Sequence, residues 1–233
     1  MDIFDHILSS SDREIMKKLY LIRHAHTKDN ELQKYSGYSD TELSETGKKQ
    51  SHELNEFLKK HVNVDKIFVS ELRRTEDTIY EYAKAKGIEL KKLPGLNEMN
   101  FGDFDGLTLK EIEKKYPEDY AEFMSGKAMF RFPNGENIED CYERNIEAFK
   151  EIMENSGEDD TVMVCGHMGT VRNILSHLLV DSYDLHWNIK IENATVSVVE
   201  FLGDYPIVKT MGYIPYDFSL LRPHTTKRLR KER

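Results

Sequence analysis

The chain has 233 residues, 39% of them hydrophobic and 32% charged, which suits one soluble domain, or a domain with a small lobe, better than two full domains. A formal charge of -9 sets an unfavourable field against nucleic acid and anionic membranes, and no apolar run reaches the roughly eighteen residues a bilayer span needs. Cys141 and Cys165 lack Cys-x-x-Cys spacing and read as reduced thiols of a cytoplasmic protein, and the acidic start has no basic, signal-like region.

In chain order, residues 1–17 read as a short amphipathic extension, with Ile3, Phe4, Ile7 and Leu8 on helical spacing. Lys18–Ile22 reads as a strand. A helix follows Ser44, with Leu54, Phe57, Leu58 and Val62 recurring at three and four residues. Ile67-Phe-Val-Ser70 is a β-rich run too short for a helix. Glu71–Lys86 reads as helix with Gly87 as its stop, and Ile88–Leu93 as a third strand. Thr108 and Glu111 have capping-box spacing, so a helix starts there and Pro117 is expected to end it. Asn137 can cap a long helix whose apolar face is expected at positions 138, 142, 146, 149 and 153. Thr161–Cys165 reads as a buried strand and Gly169–Val180 as the helix after it; Thr195–Phe201 and Ile207–Thr210 are β-branched. Strands alternating with helices predict an α/β fold: a mostly parallel central sheet with helices on both faces. One domain is expected over 18–211, followed by a tail over 212–233 that ends in the basic run from His224 to Arg233.

In open α/β sheets, reactive groups gather at the carboxyl ends of strands. Arg23-His24, Ser70-Glu-Leu-Arg-Arg74 and Gly166-His167 all follow predicted strands. Each alone is weak, because a strand-end histidine is more often structural and an Arg-Arg pair is usually solvated. Together they predict a small cationic pocket in an acidic chain, suited to a dianion such as phosphate. The arginine fork matches phosphate oxygens, and a neutral imidazole can attack phosphorus if its other nitrogen donates to a backbone carbonyl. The residues alone do not choose between Arg73 and Arg74, or among Glu98, Asp103 and Asp105 as an acid. His24 and His26 have a spacing found in metal sites, but no His-Glu-x-x-His or Cys-x-x-Cys run supports them, so no metal is expected.

Over about residues 18–201 the sequence resembles the histidine phosphatase superfamily, in the branch that includes the cofactor-dependent phosphoglycerate mutases. Leu21-Ile-Arg-His-Ala-His-Thr27 resembles that family's Arg-His-Gly-x-Thr motif, and Asn30 falls at its asparagine position. Tyr35-Ser-Gly-Tyr38, followed by Asp40-Thr-Glu-Leu-Ser-Glu-Thr-Gly47, is similar to the loop that walls its phosphate pocket. Ser70-Glu-Leu-Arg-Arg-Thr-Glu-Asp-Thr78 resembles its Ser-Asp-Leu-x-Arg motif and selects Arg74; the segment from Leu96 to Gly106 selects Glu98; Val164-Cys-Gly-His-Met-Gly-Thr-Val-Arg172 matches the second histidine motif. The resemblance implies that His24 is the nucleophile and Glu98 the acid and then the base. It implies that Arg23, Arg74, His167 and Asn30 hold phosphate oxygens, with Ser36 and Gly37 in the pocket wall. Ala25 and Met168 stand where glycine is usual, and Met168 is expected near the leaving group. Residues 94–136 are expected to cover the pocket, with some of their aromatic residues touching substrate.

The implied activity is that of a phosphomonoesterase acting on a small phosphorylated metabolite through a phosphohistidine. The mutases carry a long insertion with extra arginines, whereas Leu107–Phe132 is short and holds only Arg131. A phosphoglycerate mutase is the alternative, and an inactive phosphate-binding scaffold is the alternative of another class. No cofactor is expected, except 2,3-bisphosphoglycerate priming in the mutase case. Neither nucleic acid nor membrane is an expected partner, a homodimer is compatible, and the tail could dock over the site or on a neighbouring subunit.

Overall fold

The structure, a computed structural model, describes residues 17–126 and 129–222. Of the expected extension over 1–17, residues 1–16 lie outside the described residues, as does the basic run from His224 to Arg233, and Lys17 belongs to the first strand. The elements run β1 (Lys17–Arg23), α1 (Lys28–Glu31), α2 (Glu45–His61), β2 (Lys66–Val69), α3 (Arg73–Lys86), β3 (Leu90–Lys92), α4 (Leu109–Lys115), α5 (Pro117–Met124), α6 (Ile138–Glu154), β4 (Thr161–Gly166), α7 (Met168–Val180), β5 (Val196–Leu202) and β6 (Tyr205–Tyr213). They build a sheet of order β3-β2-β4-β1-β5-β6 in which β1 to β4 are mutually parallel, β5 runs antiparallel to β1, and β6 antiparallel to β5. This is the α/β architecture the alternation predicts.

The central strands read as near-continuous apolar runs because both faces are covered. On β1 and β4, Leu19, Leu21, Val162 and Val164 turn to one face, where α6 and α7 bring Ile146, Phe149, Ile152, Ile174 and Leu175. Ile22, Met163 and Cys165 turn to the other, against Leu54, Leu58, Ile79 and Tyr82 of α2 and α3. Each such side chain contributes roughly 1.5–3 kcal/mol by leaving water. Ser44 caps α2 through Gly47, Thr108 and Glu111 cap α4 reciprocally, and Gly87 ends α3 in the left-handed region. Among the described residues, no helix is long and apolar enough to cross a membrane.

Three expectations need correction. Pro117 does not simply stop a helix: α4 ends at Lys115, and Pro117 opens α5 at its first position, where the missing N–H costs nothing. On α6 the buried face is Ile138, Cys141, Asn145, Ile146, Ala148, Phe149 and Ile152; Tyr142 and Met153 are only half-buried. Tyr142 keeps its hydroxyl at the margin, bonded to His177 Nδ1 at 2.9 Å. Residues 212–221 are not a tail, since β6 runs to Tyr213, Tyr216 is buried in the core, and Gln50 donates to the Leu220 carbonyl at 2.9 Å.

Gly47 lies so close under the His26 carbonyl that a Cβ there would overlap it. Gly47→Ala should therefore destabilise the fold by about 1–3 kcal/mol through overpacking, read as a lower urea midpoint. An unchanged midpoint would show that α2 can move away from the loop behind β1.

Candidate active site

Strand register places the site. Arg23 pairs with Gly166 and Val69 with Cys165, so the next residues along these adjacent strands, His24, His167 and Ser70, emerge together at one sheet edge. His24 N–H donates to the Gly166 carbonyl at 2.9 Å, tying the first loop to the β4 end. The His24 and His167 rings stand 5.2 Å apart between centroids.

His24 Nδ1 lies 2.8 Å from the Ala25 carbonyl. A carbonyl only accepts, so Nδ1 carries the hydrogen and the lone pair of the neutral ring is on Nε2. His167 has the opposite tautomer: Arg74 Nε donates to its Nδ1 at 3.2 Å, so its hydrogen is on Nε2, 2.8 Å from Ser70 Oγ. Burial, then the charges of Arg74, His24 and Arg23, push the His167 pKa well below the ordinary range, and the ring is neutral.

Arg74 is 1% exposed; its Nη1 donates to the Ser39 carbonyl at 2.9 Å and its Nη2 to the Gly37 carbonyl at 2.8 Å and the Ser36 carbonyl at 3.3 Å. Arg73 is exposed and paired with Asp77 at 3.1 Å, which separates the two arginines the sequence left open. Arg23 donates from Nη1 to the Ile191 carbonyl at 2.6 Å, and burial lowers its pKa to about 10. Burial also lowers Arg74 and Arg172. Three guanidiniums that stay charged while shielded from water make this edge a strong anion attractor.

Glu98 is buried beside the start of α7, with Oε2 3.4 Å from Gly169 N and Oε1 accepting from its own Met99 N–H at 3.0 Å. A Cβ at Gly169 would overlap the Glu98 carboxylate, so glycine is what lets the acid lie there. Asp105 is committed elsewhere: its oxygens accept from the N–H groups of Gly37, Tyr38 and Ser39 and from Ser39 Oγ, all within 2.9 Å. It anchors the pocket-wall loop. Asp103 accepts from Asn134 at 3.0 Å. Of the three acids, only Glu98 adjoins the second histidine's helix.

Several expected contacts take another form. Gly37 spends its N–H on Asp105, and the Ser36 and Gly37 carbonyls reach the site by holding Arg74. Asn30 Oδ1 accepts from Thr27 N and Asn193 Nδ2, both at 3.2 Å, while its amide N–H group has no acceptor among the described residues. Met168 is half-buried, with its sulfur 3.7 Å from Arg23 Nη1. His26 is buried, with Nδ1 2.8 Å from Ser44 Oγ, and braces the start of α2. Phe104, Phe123, Phe130 and Phe132 are the buried core of the cover segment rather than substrate clamps. Arg131 is paired at the surface with Asp140 at 2.9 Å.

Sequence reasoning missed the supports. Thr78 Oγ1 accepts from Ala25 N–H at 2.8 Å, and Asn193 donates to the His24 carbonyl at 3.0 Å. Ser70 and Thr78 stand at the two ends of the segment that carries Arg74, so a signal for them is present in the sequence. Asn193 acts across 169 residues of chain and leaves no local signal.

The family model for the histidine phosphatase superfamily (branch 1) matches residues 19–213. Phosphoserine phosphatase 1 of Hydrogenobacter thermophilus is 33% identical over 184 residues, covering 79% of this chain and 86% of that protein. The adenosylcobalamin/alpha-ribazole phosphatase of Salmonella typhimurium is 25% identical, covering 84% and 96%. Among solved structures, the alpha-ribazole phosphatase of Shigella flexneri superposes with a TM-score of 0.79 at 22% identity, over 86% of this chain and 99% of that one, a likeness of fold. The chain belongs to the histidine phosphatase superfamily, branch 1, and both of these curated relatives are named as phosphatases.

Proposed function

We propose that hydrolysis runs in two steps over His24. Nε2 attacks phosphorus, the N–P bond forms as the P–O bond breaks, and Glu98 gives its proton to the leaving oxygen. Water then attacks the phosphohistidine, Glu98 takes the water's proton, and the N–P bond breaks to release inorganic phosphate. The observation that carries this is the Nδ1 to Ala25 carbonyl bond, which leaves the attacking lone pair on Nε2. Arg23, Arg74 and Asn30 meet the phosphoryl oxygens, and His167 joins them once a bound dianion draws a proton to its Nδ1.

Arg172 favours a substrate with a second anionic group. It lies four residues after Met168 on α7, on the helix face whose Met168 sulfur meets Arg23. It is 8% exposed; Nε donates to the Ile189 carbonyl at 2.6 Å, and its terminal nitrogens make no other hydrogen bond or ion pair among the described residues. The negative charges of Glu98 and Glu192 act on it. A carboxylate beside the phosphate, as in the phosphoserine that one relative's name specifies, suits that fork.

The cations that neutralise the phosphate are side chains, so turnover is expected to survive a chelator and to need no cofactor. Buried, reduced Cys141 and Cys165 favour a cytoplasmic site of action.

The test is phosphate release, with chelator present, from O-phosphoserine, 3-phosphoglycerate, O-phosphoethanolamine and 4-nitrophenyl phosphate, beside a mutase assay primed with 2,3-bisphosphoglycerate. Arg172→Met should lower kcat/KM about 10- to 100-fold on the carboxylate substrates and only a few-fold on the others. Mutase turnover well above hydrolysis would overturn the phosphatase assignment, and uniform losses across the panel would remove Arg172 from substrate recognition.

A further inference from the structure

The acid of the proposed reaction stands on an irregular turn, and one side chain grips that turn from outside the site. Residues 94–96 form a single turn of 3-10 helix and Asn97 follows it, so neither a strand nor a long helix fixes Glu98. Gly95 presses against α6 so closely that a Cβ would come within 2.5 Å of the Ala148 Cβ. From α6, Arg144 reaches back over the turn.

Its guanidinium has five N–H donors, and five oxygens meet them. Nη1 donates to the Gly95 and Asn97 carbonyls, both at 3.0 Å, and Nη2 to the Glu98 carbonyl at 3.2 Å. The remaining fork closes on Glu136, with Nε to Oε1 at 2.8 Å and Nη2 to Oε2 at 2.9 Å. Glu136 is itself fixed, because Oε2 accepts from Asn100 N–H at 2.9 Å while Glu136 N–H donates to the Asn100 carbonyl at 2.9 Å. The neighbouring Asn145 adds a bond to the Gly95 carbonyl at 2.7 Å. The backbone on both sides of Glu98, from 95 to 100, is thus held by one ion pair at the exit of the cover segment. The guanidinium also lies 6.0 Å from the Tyr38 ring centroid, on the loop whose carbonyls hold Arg74.

We propose that Arg144, locked by Glu136, is the positioning residue for Glu98, setting where the carboxylate stands relative to the leaving oxygen. This rests on Glu98 being the acid. Arg144 has no donor left for substrate, so it acts only through the turn. Lysine, with three donors from one point, cannot reproduce the grip.

A merely structural arginine would affect all substrates alike, whereas a positioning residue for the acid must discriminate by leaving group. Arg144→Met should lower kcat on an alkyl phosphate about 100-fold, the loss expected from a misplaced catalytic group. On 4-nitrophenyl phosphate, whose leaving group needs little protonation, the formation of phosphoenzyme should change by less than about threefold. In a Glu98→Gln background the same substitution should cost little more, because the group it positions is gone. Arg144→Lys should not rescue the alkyl-phosphate rate. If Arg144→Met folds poorly by thermal unfolding, Glu136→Gln, which keeps the shape and removes the charge, should show the same leaving-group pattern at about a 10-fold loss.

Equal losses on both substrates in whichever variant folds, or losses that add to that of Glu98→Gln, would overturn the proposal. Glu98→Gln alone separates the two claims: no leaving-group selectivity there removes the acid assignment, while selectivity there without it in the Arg144 and Glu136 variants removes only the positioning role.

Discussion

His24→Ala should lower turnover by about 10^4-fold or more and abolish the phosphoenzyme, because the variant loses the imidazole that forms the N–P bond in the proposed reaction. Rapid quenching with radiolabelled substrate should give wild-type protein an acid-labile, alkali-stable label and the variant none. The fold should survive. The His24 ring hydrogen-bonds the adjacent Ala25 carbonyl, and the loop is held through its backbone: His24 N–H donates to the Gly166 carbonyl, Asn193 donates to the His24 carbonyl, and Thr78 accepts from Ala25 N–H. Removing the imidazole leaves those bonds in place, so the loss should be chemical and not conformational. Unaltered substrate binding by the variant, measured by calorimetry, would agree with three guanidiniums supplying the anion affinity. Label on the variant at wild-type stoichiometry would move the nucleophile elsewhere, with His167, whose ring stands beside that of His24, the first candidate among the described residues.

The fold was legible where local chemistry and periodicity agreed. Ser44, Thr108 and Asn137 announce helix starts because their side chains satisfy backbone donors a few residues away, and Gly87 announces a stop because it adopts a left-handed conformation without strain. The site was legible at Arg23, His24 and His167 because they directly follow apolar strand runs, whereas Arg74 was set apart from Arg73 only by the resemblance. It was illegible wherever a polar residue serves a distant backbone. The apolar face of α6 lies about one position from the expected one because Asn145 is buried there for polar reasons: it serves the turn before Glu98 and accepts from Asn173 on α7. A hydrophobic count does not register such a residue. Asp105 likewise resembled a candidate acid because sequence shows a carboxylate without its partners, and its three backbone N–H donors lie 66 to 68 residues away.

Glu98→Gln should separate the two halves of the reaction. Glutamine keeps the length and can keep the bond from Met99 N–H, so the turn gripped by Arg144 need not move. What it loses is a transferable proton. With an alkyl phosphate the first step should slow about 10^2- to 10^4-fold, the usual range for a general acid. With 4-nitrophenyl phosphate the first step should proceed almost normally, since the phenolate leaves unaided, and the second should fail for want of a base. The variant should therefore release one equivalent of nitrophenol per active site in a burst and then turn over slowly, with labelled phosphohistidine accumulating. The alkyl substrate should give no burst. A variant slowed equally on both substrates, without accumulation, would show that the proton comes from another group, and the structure narrows the choice: Asp105 and Asp103 are already engaged by the wall loop and by Asn134, so water held in the site would be the next candidate. A burst on the nitrophenyl ester alone would assign both the acid and the base to a single carboxylate, whose place beside Gly169 exists because that residue has no side chain.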